Sequence, residues 1–90
     1  MSEKSLHAVQ ELRKRGFVID QLWDGRDGSM WLDREYWRWF YREPVLQWVM
    51  ICDYGYKIIY SVYSGTLSAP KKEYVRLNAM LSYIDKTYPL

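Results

Sequence analysis

The sequence predicts an α+β fold, an antiparallel sheet of about four to five strands flanked by an N-terminal and a C-terminal helix in the order α-β-β-β-β-β-α. Three observations predict it. Helical periodicity occurs only at the two ends, Asp/Gly-rich and Gly-containing turns punctuate the middle, and the segments between those turns are rich in Val, Ile, Trp and Tyr. Hairpin-connected strands with helices packed on them belong to an antiparallel sheet rather than to a parallel α/β unit.

The elements follow in order. From Ser5 to Arg15, Leu6, Val9 and Leu12 recur at three-residue intervals, Lys14 and Arg15 fall in the last turn, and Gly16 stands where a helix stops. Phe17 to Trp23 reads as a first strand, and Asp24-Gly25-Arg26-Asp27-Gly28 as the loop of a hairpin. Ser29 to Asp33 makes a short second strand. Arg34 to Glu43 admits helix or strand, since Arg34, Arg38 and Arg42 share one face in either. It is read as a third strand because its aromatics suit a pleated surface, and Pro44 ends or redirects it. Val45 to Tyr54 and Tyr56 to Tyr63 form the clearest hairpin, with Tyr54-Gly55 as its turn, Ile51 opposite Ile58 and Val49 opposite Tyr60. A Ser- and Gly-containing loop leads to a last helix that Ser68 or Ala69 caps and Pro70 opens. Its apolar face is Tyr74, Leu77, Leu81, Ile84 and Tyr88, and Pro89 closes it.

Alternation sorts the central hairpin into two faces. Val45, Val49, Ile51, Ile58, Tyr60 and Val62 lie on one, and Leu46, Trp48, Met50, Cys52, Ile59 and Tyr63 on the other. Both are apolar. Two helices cover one face of such a sheet but hardly both, so the second needs another cover, from the Trp-rich segment or from a second molecule.

The totals bound the function. Ninety residues with 49% apolar and 27% charged side chains suit a single globular domain over residues 1–90. A net charge of +2 is weaker than domains that hold nucleic acid by electrostatics usually carry. The single Cys52 cannot form an intramolecular disulfide, which fits a reducing compartment, and the polar N-terminal stretch predicts no secretory signal. The longest nearly apolar run, Val45 to Cys52, is far short of the ~20 residues that span a bilayer. A cytoplasmic protein without a membrane segment is expected.

Five Trp and nine Tyr are the other distinctive feature, since large amphipathic rings anchor interfaces as well as cores. The leading expectation is therefore a non-enzymatic protein-binding module, an inhibitor or accessory protein or a homodimer, using Trp37, Trp39, Tyr41, Trp48 and Tyr63. The alternative is a nucleic-acid binder in which Arg34, Arg38 and Arg42 neutralise phosphates while Tyr36 and Phe40 stack on bases. The same alternation also suits an ordinary strand whose Arg stems cover neighbouring rings. A small enzyme built on Asp24, Asp27 or Asp33 ranks third.

Other motifs fail. Arg26 and Gly28 occupy the alternate positions an EF-hand loop would give to oxygen ligands. His7, the only histidine, has no paired ligand spacing, its pairing with Cys52 has no local signature, and Gly25 and Gly28 are followed by strand rather than by a helix N-terminus. No cofactor, metal or small-molecule substrate is implied. In size and aromatic content, with no motif behind the likeness, the chain is similar to small accessory or inhibitor proteins of phages and other mobile elements.

Overall fold

The computed structural model describes residues 2–20, 29–37, 42–65 and 72–89. Two helices, α1 (Glu3–Lys14) and α2 (Leu77–Thr87), bracket five strands: β1 (Val18–Ile19), β2 (Ser29–Tyr36), β3 (Val45–Asp53), β4 (Ile58–Ser64) and β5 (Lys72–Tyr74). The strands form one sheet in sequence order, β1-β2-β3-β4-β5, and every neighbouring pair is antiparallel. The expected class and element order hold.

Helix α1 is set by its two ends. Ser2 caps it by accepting the backbone N–H of Ser5 at 3.1 Å. At the other end the Phe17 N–H reaches the Leu12 carbonyl and the Gly16 N–H reaches that of Arg13, with Gly16 at φ 90°. This is a Schellman closure, and the positive φ is why glycine stands there. The buried stripe is Ser5, Ala8, Val9 and Leu12. Leu6, expected on that stripe, is half exposed, because a helical repeat of 3.6 carries the apolar face from position 9 back to 8 and 5 rather than to 6.

Four expectations about the strands and their turn are corrected. Ser29 to Asp33 and the first part of Arg34 to Glu43 are one strand, β2, and it pairs with β3 without a break from Ser29↔Cys52 to Tyr36↔Val45. The β3–β4 register is Ile51↔Tyr60 and Val49↔Val62, not Ile51 with Ile58. The turn is Gly55-Tyr56, closed by the Tyr54 N–H on the Lys57 carbonyl at 2.9 Å, with positive φ at Gly55 only, the sign pattern of a type II′ hairpin. The slip is two residues, so every side chain keeps its expected face. Finally, Lys72–Tyr74 is a strand on β4 rather than the start of the last helix. Tyr74 still meets the core from its strand position, its ring 5.8 Å from that of Tyr83 on α2, and so fitted the helical pattern by coincidence. The expected remainder of the first strand, the Asp/Gly loop and the loop before the last helix lie outside the described residues.

Both helices pack on the same face of the sheet. Ala8, Val9 and Leu12 of α1 and Met80, Leu81 and Ile84 of α2 join Phe17, Leu32, Val49, Ile51, Tyr60 and Val62 in one buried cluster. The hairpin tip is tied to the start of α1: Asp53 Oδ2 accepts the hydroxyls of Ser2 at 2.5 Å and Ser5 at 2.7 Å, and its Oδ1 accepts the Gly55 N–H at 2.8 Å. These bonds, those from Ser2 and Ser5 first, hold the carboxyl down from 3.8 to about 2. The unfolded chain therefore binds more protons than the folded one in this range. The stabilisation is complete above about pH 4 and is lost as pH falls towards 2. Thermal melts across that window are expected to show an acid-side decline that is smaller in Asp53→Asn than in the wild type, and equal declines would contradict the linkage.

Candidate functional site: the outer sheet face

Residues opposite one another in the ladder share a face, so the register assigns the outer side, away from the helices, without ambiguity. It carries Val18 of β1; Ser29, Trp31, Asp33 and Glu35 of β2; Leu46, Trp48, Met50 and Cys52 of β3; Ile59, Ser61 and Tyr63 of β4; and Glu73 of β5. Trp48 lies between Asp33 on one neighbouring strand and Tyr63 on the other. The rings of Trp31 and Tyr63 approach to 5.4 Å across β3, a tilted packing of the kind aromatic pairs favour.

Trp31, Trp48, Met50, Cys52 and Ile59 are half-buried, while Leu46 is 44% exposed. On the inner face, by contrast, Leu32, Val49, Ile51, Tyr60 and Val62 are sealed beneath the helices. The two faces are alike in composition, but the helices pack only on the inner one. On the outer one Ser29, Ser61 and Tyr63 are buried while the larger apolar groups around them stay partly exposed, which makes it the candidate site.

The five residues expected to bind protein are placed as follows. Trp48 and Tyr63 are cross-strand partners on the outer face, but Tyr63 is buried and supports Trp31 rather than meeting solvent. Trp37, just past the end of β2, is 57% exposed, and its ring N–H donates to the Glu35 carboxylate at 3.3 Å. Trp39 and Tyr41 lie outside the described residues. Met50 and Ile59 stand on the face to which alternation assigned them, and Asp33 stands there as well although it was considered only for catalysis. Trp31, Glu35 and Glu73 complete the face without having been expected on it. Reading Ser29 to Tyr36 as one strand would have placed Trp31 beside Trp48.

The expected stripe of Arg34, Tyr36, Arg38, Phe40 and Arg42 is not presented to solvent at its start. Arg34 and Tyr36 point inward, 6% and 3% exposed. The Arg34 guanidinium lies 4.5 Å over the Phe17 ring and 5.4 Å from that of Tyr36. It donates to Gln47 Oε1 at 2.6 Å, to the Arg15 carbonyl at 2.7 Å and to the Tyr88 carbonyl at 3.2 Å. Burial lowers its pKa, but an arginine remains charged in a protein. Tyr36 donates its hydroxyl to the Pro89 carbonyl at 3.0 Å. These groups fasten the C-terminal ends of both helices to the sheet, and neither is available to a phosphate or a base. Arg42 is exposed beyond β2, and Arg38 and Phe40 lie outside the described residues.

Of the residues considered for catalysis, Asp24 and Asp27 lie outside the described residues. Asp33 is half-buried on the outer face, its pKa raised by burial and then by the charge of Asp20. His7 sits on α1 and Cys52 on the outer face, so the sheet separates them. Among the described residues no helix is long and apolar enough to cross a membrane. Comparison of the chain with protein-family models, with curated proteins and with solved structures gave no match in any of the three.

Proposed function

We propose that the chain is a non-enzymatic protein-binding module that docks another polypeptide on the outer face of its sheet. One observation carries the reading: both helices pack on the inner face, while Trp31, Trp48, Met50, Cys52 and Ile59 on the outer face are only half-buried and Leu46 is exposed. Aromatic and methionine side chains on a rigid sheet are the groups that interfaces enrich, because they bury large areas at little cost in side-chain freedom. A sheet face with partly exposed aromatic and aliphatic groups spread over neighbouring strands suits the broad contact of a protein surface.

The test is capture from nuclease-treated native extract on immobilised chain, with the Trp48→Ala chain as control. A polypeptide retained by the wild type and lost from the variant is expected. Equal capture by the two chains, or none by either, would contradict the proposal.

A further inference from the structure

We infer that the outer face receives a cationic partner, a segment of another protein that sets lysine or arginine side chains among apolar ones. The inference rests on the docking reading above and adds the partner's chemistry to it.

Strand alternation has sorted the charges of this chain. The outward strand residues include three carboxylates, Asp33, Glu35 and Glu73, and among the described strand residues no lysine or arginine points to that side. The inner ladder positions take Arg34 and Lys72, and the exposed cations Lys4, Arg13, Lys14, Arg42, Lys57, Arg76 and Lys86 belong to the helices, the stretch between β2 and β3, the hairpin tip and the bend before α2. A protein with a net charge of +2 thus carries a face whose described charges are all negative.

The carboxylates border the apolar centre. Asp33 is directly opposite Trp48, and Glu35 is opposite Leu46. Glu73 is opposite Ser61 on the far flank, close enough for its charge to bear on the Tyr63 hydroxyl. A lysine or arginine suits this arrangement at both ends of its side chain. Its methylene stem packs on Trp31, Trp48 and Met50, and its charged head reaches the carboxylate rim or lies over an indole face. Asp33 sits where burial and a neighbouring acid disfavour its charge, a field that an incoming cation would relieve.

The same sorting disfavours other occupants. A second copy docked face to face would bring together two surfaces whose described charges are all negative. A nucleic acid would bring phosphates to the side that has no cation among the described strand residues.

The experiment is selection from a displayed library of short random peptides on the wild-type chain, on the Asp33→Asn/Glu35→Gln/Glu73→Gln chain and on Trp48→Ala. Peptides from the wild type are expected to be enriched in Lys and Arg about threefold over the library and to bind the carboxylate-free chain about tenfold more weakly. Raising salt on the wild-type chain gives the same weakening without any substitution, should the triple variant not fold. Peptides that need Trp48 but show no basic excess would overturn the cationic partner and leave the docking face standing. No peptide dependent on Trp48 would remove both. Self-association of the chain in sedimentation, abolished by Trp48→Ala, would assign the face to a second copy and overturn the inference.

Discussion

Replacing Arg34 with alanine is expected to lower the free energy of unfolding by about 2–4 kcal/mol, the order expected when a buried charged donor to several neutral acceptors is removed and leaves them unsatisfied beside a cavity. The guanidinium is 6% exposed and bonded to Gln47, to the carbonyl of Arg15 at the end of α1 and to that of Tyr88 at the end of α2. Alanine would leave three acceptor oxygens without their donor and a cavity beside Phe17. It would also take a cation from the negative ends of two helices. For a domain of this size, total stability is only about 5–15 kcal/mol, so Arg34→Ala approaches the limit of folding. Arg34→Lys should recover part of the loss, since a single ammonium keeps the charge but cannot span three acceptors set around a planar fork. Urea unfolding at constant m gives the number. A loss under about 1 kcal/mol, as for an exposed arginine, would show the side chain to be on the surface and would restore the arginine stripe as a candidate nucleic-acid contact.

Trp48→Ala is expected to weaken the captured partner by about 30-fold or more, equivalent to at least ~2 kcal/mol, as for a tryptophan at the centre of an interface. Trp48 is the outer-face ring with an outer-face residue on both flanking strands, Asp33 and Tyr63, so a partner lying on the face must cover it. Its own fold should survive, because the buried cluster lies on the other side of the sheet. Isothermal titration paired with a thermal melt separates the two effects. A variant that loses stability but binds the partner at wild-type affinity would assign Trp48 to folding alone.

Much of this was legible in the sequence, and the reasons differ by element. Period-two alternation is a local property, so the split of Val45, Val49 and Ile51 from Leu46, Trp48 and Met50 was readable and survived a two-residue error in register. The Gly16 closure and the Ile84 contact to the core follow from positions that the sequence also marks, whereas the helix expected from Ser5 begins at Glu3 with Ser2 as its cap. Arg34 could not be placed in this way. Its spacing with Arg38 and Arg42 looked like a surface stripe, whereas the acceptors that draw it inward, at positions 15, 47 and 88, come from three distant parts of the chain. Tertiary context decides such a residue, as it decided Lys72–Tyr74, where pairing with β4 outweighed a helical pattern that Tyr74 seemed to begin. The charge sorting was hidden for a related reason: with Ser29 to Tyr36 divided in two, Asp33 and Glu35 did not fall on the face that bears Trp48.

Cys52 provides the most direct test of an outer face open to a partner, for it is the single cysteine of the chain and lies half-buried on that face. A small thiol reagent is predicted to label it in the folded protein at a rate independent of low denaturant, faster than global unfolding permits, with protection when the partner binds. Labelling only at the rate of global unfolding would mean that the face is already closed within the single chain, and that result would contradict the docking account.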